Sequence, residues 1–131
     1  FRSFMKNMVR TLVLLSPAFM LFGCGEEPAA PASYSADVKP FLEKYCTRCH
    51  TEGGEGAETS GFQMVSYESL MKGTKFGPVI TPGDSFSSVL VMLVEGRADP
   101  SISMPHDKGE APTPAEIEKL KAWIDQGAKN N

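Results

Sequence analysis

The sequence has few cysteines and histidines, the residues that most often build metal sites: of 131 residues, three are cysteines and two are histidines. It also has a single tryptophan. It has no internal repeats and no alternating apolar pattern of strand length, which excludes solenoids and gives no support to a β fold. The length and the 41% hydrophobic content allow one small globular domain. Three cysteines cannot all pair within one chain, so at least one of them has another role.

The N-terminal segment has the layout of a secretory signal. Arg2, Lys6 and Arg10 precede an apolar run over residues 11–22. The run is shorter than the ~20 residues that a membrane-spanning helix needs, and it has no polar face at helical spacing, which speaks against a buried amphipathic helix. We therefore exclude this segment from the fold prediction.

Leu21-Phe22-Gly23-Cys24 resembles the lipobox of bacterial lipoproteins. The resemblance implies cleavage before Cys24 and a lipid on that cysteine, so residues 1–23 are predicted to be a lipoprotein signal peptide. Residues 24–33, rich in Pro, Ala and Ser, are predicted to be a flexible tether, and residues 34–131 the folded domain. Such a chain is expected on the periplasmic side of a bacterial membrane, with the inner and the outer membrane both open.

The predicted mature chain is acidic. It keeps 10 basic and all 16 acidic side chains, a net charge of −6. Such a domain does not hold nucleic acid by neutralising phosphates. Its expected partner is a redox protein with a basic docking patch, since complementary fields raise association rates, although the acidity could also serve solubility alone.

Four helical stretches with loops between them predict an all-α fold. Three of them carry apolar residues at helical spacing: Val38, Phe41, Leu42 and Tyr45; Phe86, Val89, Leu90, Leu93 and Val94; and Ile117, Leu120, Trp123 and Ile124. The remaining helix is predicted over residues 67–72, with Ser66 as N-cap and Gly73 as the stop. Residues 113–116, Thr-Pro-Ala-Glu, are a capping box that starts the last helix, whereas the glycine-rich residues 52–58 are predicted to be a loop.

The chemistry is concentrated in residues 46–50, Cys-Thr-Arg-Cys-His. On a helical turn, side chains at i, i+3 and i+4 point the same way, so two thiols and one imidazole converge on one object. The spacing matches the c-type haem attachment signature. We therefore predict one haem c, bound covalently through Cys46 and Cys49, with His50 coordinating the iron.

Two other interpretations of this motif stay open. A Cys-x-x-Cys pair can be a thioredoxin-like redox site, but that site follows a strand, and no strand pattern precedes Cys46. Together with His50 and His106, the pair could be half of a zinc site. The second closely spaced ligand pair that structural zinc sites use is missing, however.

Iron with a single histidine has a sixth position to fill, and Met104 is the preferred candidate. Pro105 favours an extended Met104 and removes a backbone donor, which suits a loop residue that presents its side chain to a metal. A thioether is soft and raises the potential relative to a second imidazole. The rival ligands are His106, Met64, Met71 and Met92. The last two lie in apolar helices, where methionine usually packs.

The order of these features resembles monohaem class I cytochrome c, and especially the cytochrome c domains of planctomycete-type bacterial proteins. The likeness runs from about residue 34 to the end, through the Cys-x-x-Cys-His motif, Gly77-Pro78, Pro82-Gly83-Asp84, Met104-Pro105 and the segment from Thr113 to Ala128. It implies a bundle of about four helices around one haem, with His50 as the proximal ligand and Met104 as the distal ligand. Class I cytochromes orient the proximal histidine with a proline carbonyl, a role that would fall on Pro78.

These features together predict a lipid-anchored one-electron carrier and not an enzyme. Two alternatives stay open. The chain could be the haem subunit of a larger redox enzyme complex, or a haem c protein whose open or labile sixth site binds a small ligand or peroxide.

Overall fold

A computed structural model describes residues 30–106 and 109–131, so the predicted signal peptide and Cys24 lie outside the described residues. Within those ranges the secondary structure is helical, without a β-strand, which confirms the all-α class. There are five α-helices, one more than predicted: Lys39–Tyr45 (α1), Glu55–Ser60 (α2), Tyr67–Lys72 (α3), Val89–Val94 (α4) and Pro114–Asp125 (α5). A π-helical turn, Tyr34–Val38, leads into α1. None of the helices described has the length and apolar character to cross a bilayer.

The two helix starts that the sequence marks most clearly are confirmed. At α3, the Ser66 side chain accepts from the Ser69 amide at 3.1 Å, and the Ser69 hydroxyl accepts from the Ser66 amide at 3.0 Å. Thr113 and Glu116 form the same capping box at α5, with Pro114 at the first helical position. Each box satisfies two backbone N–H groups that the helix leaves without a partner, so both helices begin where local side chains dictate.

The helix α5 supplies the centre of the hydrophobic core. Its most buried large side chains are Leu120, Trp123 and Ile124. The Trp123 ring centroid lies 5.9 Å from that of Tyr34 and 6.5 Å from that of Tyr67. Aromatic pairs at these separations stabilise a core beyond the area that they bury. One aromatic cluster therefore joins the N-terminal turn, α3 and α5.

The helix α4 begins later than the apolar spacing indicates, and the prediction that Phe86 lies on its buried face is wrong. Phe86 precedes the helix and is 75% exposed. The Arg97 guanidinium lies 4.7 Å from its ring centroid and donates to its carbonyl oxygen at 3.0 Å. Ser88 is the residue that is buried here. Its hydroxyl donates to the Asp84 carbonyl at 2.8 Å, so it has a hydrogen-bond partner without water.

The segment predicted to be a glycine-rich loop contains the helix α2. Its six residues include Gly56, and no side chain caps its start at Gly54, so local propensity does not favour it. Its stability comes from a contact outside the helix. Ala57 is buried, and its amide donates to the Cys49 carbonyl at 3.0 Å. A tertiary contact with residues 46–50 therefore forms this helix.

The end of the predicted tether packs against the folded domain. Ala32 is buried, and its amide donates to the Gln126 side-chain oxygen at 3.2 Å. The Gln126 side-chain nitrogen donates in turn to the Ala30 carbonyl at 3.3 Å. Ser33 caps the next turn by accepting from the Ala36 amide at 3.0 Å. The folded domain therefore includes Ala30, which is earlier than the predicted boundary at residue 34.

Glu116 joins the start of α5 to the end of α1. Its carboxylate accepts from the Thr113 amide at 2.8 Å and from the Tyr45 hydroxyl at 2.9 Å, and the Lys44 ammonium lies 3.5 Å away. The hydrogen bonds from Thr113, followed by that from Tyr45, lower the pKa of Glu116 from 4.5 to about 2. Because Tyr45 directly precedes Cys46, this contact fixes the end of α1.

We expect Glu116→Gln to remove a pH-dependent part of the stability. The folded-state pKa of Glu116 lies below 4.5, so its contribution is complete above that pH and is lost as the pH falls to about 2. The difference in unfolding free energy between wild type and Glu116→Gln should therefore shrink over this range in urea titrations. Glu118→Gln, on the same helix, is the matched control. A difference that stays constant down to about pH 2 would contradict the assignment.

Candidate functional site

The Cys-x-x-Cys-His segment forms a tight turn directly after α1. The amides of Cys49 and His50 both donate to the Cys46 carbonyl, at 3.1 and 3.0 Å, so all three side chains project from one turn of backbone. Cys46 and His50 are buried, whereas Cys49 is exposed. Both thiols are free, and each can therefore form a covalent bond.

The imidazole of His50 is held by the backbone of Phe62. Its Nδ1 lies 3.1 Å from the Phe62 carbonyl oxygen, and since a carbonyl can only accept, Nδ1 carries the proton and donates it. The Phe62 ring also meets the imidazole edge-on, with the centroids 5.5 Å apart. The expectation that Pro78 supplies this carbonyl is therefore wrong. Pro78 is exposed, and the Nδ1 proton is already bound by Phe62.

The other ring nitrogen of His50, Nε2, is uncommitted. It has no hydrogen-bond partner in the part of the chain that the structure describes. No fully buried side-chain nitrogen or oxygen there lacks a partner, so Nε2 is not completely buried. A methyl group on Gly56 would lie 2.9 Å from Nε2 and 2.8 Å from Cε1, so the Gly56 backbone approaches this side of the ring closely and a larger side chain would not fit there. An imidazole with its Nδ1 proton on a carbonyl and its Nε2 lone pair free suits metal coordination.

The chain between His50 and Met64 folds back onto the turn that carries the cysteines. The Ala57 amide donates to the Cys49 carbonyl at 3.0 Å, and the Met64 amide donates to the His50 carbonyl at 2.8 Å. Phe62 and Met64 are both buried in the core. The segment therefore closes around His50 through hydrogen bonds to two neighbouring carbonyls and to the imidazole.

The environment of Cys46 does not suit a thioredoxin-like site. Burial, with a smaller contribution from Cys49, raises the pKa of the Cys46 thiol to about 12. Reactive cysteines of redox sites have lowered pKa values, because the thiolate is the nucleophile. Cys46 also follows a helix and not a strand. Both observations speak against a disulfide-exchange function for the pair.

The zinc interpretation has no complete ligand set in the described residues. Across residues 30–106 and 109–131, no group of three or more His, Cys, Asp and Glu side chains is arranged to hold a metal ion. His106, the ligand that the zinc interpretation requires in addition, is exposed.

Met104 lies beside the end of α4 and is half-buried. Its amide donates to the Leu93 carbonyl at 3.3 Å, and its peptide bond to Pro105 is cis. Among the described residues, no hydrogen bond joins Met104 to His50. The structure therefore brings Cys46, Cys49 and His50 together on one turn and joins the Met104 backbone to Leu93 in α4.

The rival ligands lie in different environments. Met64 is buried and is bonded through its amide to the His50 carbonyl. Met71 packs against the core, and Met92 is half-buried within α4. Since Met64 and Met71 contribute to the core, packing accounts for both of them.

Two residues of this site, Phe62 and Gly56, were not identified from the sequence. Phe62 acts through a backbone carbonyl, which leaves no signature in a side-chain pattern. Gly56 stands in a glycine-rich stretch that is visible in the sequence, but the ring that it contacts is fixed only by the fold.

Comparison with known proteins agrees with this geometry. The family model described as Planctomycete cytochrome C matches residues 46–108, from the first cysteine of the motif past the Met104 loop. The match confirms the resemblance drawn from the sequence and supports a c-type cytochrome-like domain. No match was found among the curated proteins or the solved structures.

We expect Gly56→Ala to destabilise the protein, by roughly 1–3 kcal/mol, because the added methyl group would overlap the His50 ring and the Cys49 carbonyl. The sign of the effect is diagnostic. In an open helix, replacing glycine by alanine stabilises by about 0.5–1 kcal/mol. Urea unfolding measures the change, with Thr59→Ala, at an exposed position of the same helix, as the control. A gain in stability for Gly56→Ala would contradict the close contact.

Proposed function

We propose that this chain, which carries a c-type cytochrome-like domain over residues 46–108, is a monohaem electron carrier with haem attached at Cys46 and Cys49. The observation that carries the proposal is the single turn that presents two free thiols and a histidine whose Nδ1 is fixed and whose Nε2 is free. The haem supplies a one-electron iron couple when bound.

The residues present fit covalent attachment. Each thiol would add its sulfur and its proton across one vinyl double bond, so a thioether forms without a leaving group or an oxidant. The Phe62 carbonyl keeps the proton on Nδ1 and thereby keeps Nε2 of His50 available as the proximal ligand. With His50 only 6% exposed, the fold also limits the access of water to the imidazole.

We further propose Met104 as the distal ligand. Met104 is half-buried, its amide donates to the Leu93 carbonyl in α4, and it lies within the segment that the family match covers. A thioether is a soft ligand that raises the reduction potential, which suits a carrier that accepts and donates single electrons.

The proposed location and partners rest on the sequence. The signal-like segment and Cys24 support export and a lipid anchor on the periplasmic side of a bacterial membrane. The acidic mature chain supports a redox partner with a basic docking patch, since opposite fields raise association rates.

We expect the protein, exported in a host that assembles c-type cytochromes, to give a pyridine haemochrome spectrum with two thioether bonds. Cys46→Ser and Cys49→Ser should each give the spectrum of one thioether, because one vinyl group stays unmodified, and the double variant should hold no covalent haem after denaturation. Ser87→Ala, at an exposed position away from the motif, is the control. Wild-type protein without covalent haem would overturn the proposed function.

We expect Met104→Ala to lose the weak red sulfur-to-iron charge-transfer band and to bind added cyanide or imidazole. The reason is that alanine leaves the sixth position of the iron without a protein ligand. Absorption spectra of the oxidised protein measure both effects. Met92→Ala and His106→Ala are the controls for the rival ligands, and both should keep the band. An unchanged spectrum in Met104→Ala would exclude it as the ligand and favour an open or differently ligated site.

A further inference from the structure

Ser60, the last residue of α2, bridges two backbone groups through its hydroxyl. Its Oγ donates to the Gly56 carbonyl at 2.5 Å and accepts from the Phe62 amide at 3.1 Å. A serine near the end of a helix often bonds back to the carbonyl four residues earlier. Here the same oxygen also binds the amide of Phe62, two residues beyond the end of the helix.

Both residues that Ser60 bridges lie against the His50 ring through other parts of their backbone. The Gly56 backbone packs beside Nε2 and Cε1, and the Phe62 carbonyl accepts the Nδ1 proton at 3.1 Å. The imidazole is therefore located by one residue on each of two sides, and a single hydroxyl links those two residues.

The backbone of Ser60 is itself fixed. Its carbonyl accepts from the Lys75 amide at 2.9 Å. Gly61 has a φ of +71°, in the left-handed region, which turns the chain so that the Phe62 amide points back at the hydroxyl. Ser60 is half-buried, so water competes poorly for its hydrogen bonds. The bridge therefore has a defined position relative to the rest of the fold.

We propose that Ser60 is a positioning residue for His50 that sets the strength of the Nδ1 hydrogen bond and, on the premise of the proposed haem ligation, the reduction potential. Without the hydroxyl, the buried Phe62 loses the partner of its amide, and the Phe62 carbonyl is no longer held against Nδ1. A weaker Nδ1 hydrogen bond makes the imidazole a poorer donor to iron. This favours the reduced state.

The first experiment compares reduction potentials of the haem-loaded variants. In Ser60→Ala we expect reduction to become two- to threefold more favourable, a positive shift of roughly 20–30 mV for a one-electron couple. Ser60→Thr keeps the hydroxyl and should restore the wild-type value. Thr59→Ala changes the neighbouring exposed residue of the same helix and should leave the potential unchanged. Equal potentials in Ser60→Ala and Thr59→Ala, or a shift that Ser60→Thr does not reverse, would overturn the proposal.

The second experiment uses NMR on the full chain without haem and separates this proposal from the proposed function. In the wild type, the Phe62 amide and the His50 Nδ1 proton should exchange slowly with solvent. In Ser60→Ala both should exchange at least tenfold faster, while the amide of Trp123 keeps its rate. If Ser60→Ala does not fold, the exchange rates of the wild type and of Ser60→Thr test the proposal. A Phe62 amide that exchanges in them as fast as that of an unstructured peptide would overturn the proposed bridge. Slow exchange in a protein that never binds haem would leave the bridge intact and the proposed function wrong.

Discussion

The hydrogen bond from His50 Nδ1 to the Phe62 carbonyl is the constraint on which the site depends. A buried imidazole without a partner would cost folding free energy, so the chain after His50 has to return a carbonyl to it. That requirement explains why the residues between His50 and Met64 fold back, with the Ala57 and Met64 amides bound to the carbonyls of Cys49 and His50. Committing Nδ1 leaves Nε2 as the nitrogen that can coordinate a metal.

The sequence predicts the fold best where side chains bind the backbone of neighbouring residues. Ser66 and Thr113 mark the starts of α3 and α5 because their capping bonds lie within four residues. The Cys-x-x-Cys-His motif is equally local, since its spacing places three side chains on one turn whatever surrounds it. For these elements, pattern and structure agree because no distant contact competes.

The features that could not be predicted depend on contacts across the fold. The helix α2 has weak local propensity and forms against the cysteine-bearing turn, so its sequence looks like a loop. Phe86 has the right spacing for a helix face, but the chain becomes helical only at Val89, and Arg97 covers the exposed ring. The partner of His50 is the main-chain carbonyl of Phe62. Every residue has such a carbonyl, so the sequence does not indicate which one binds the imidazole.

The two proposed axial ligands are held by different parts of the chain, so different segments fix the position of each. His50 is located by residues 54–64, within one continuous segment. Met104 is located by α4, through the Leu93 carbonyl. The two parts meet through backbone bonds, because the Lys75 amide donates to Ser60 and, a few residues further on, the Val79 carbonyl accepts from the Leu90 amide at 3.0 Å. His50 is therefore anchored through α2 and the residues that follow it, Met104 is anchored through α4, and the segment from Lys75 to Leu90 links these two parts of the fold.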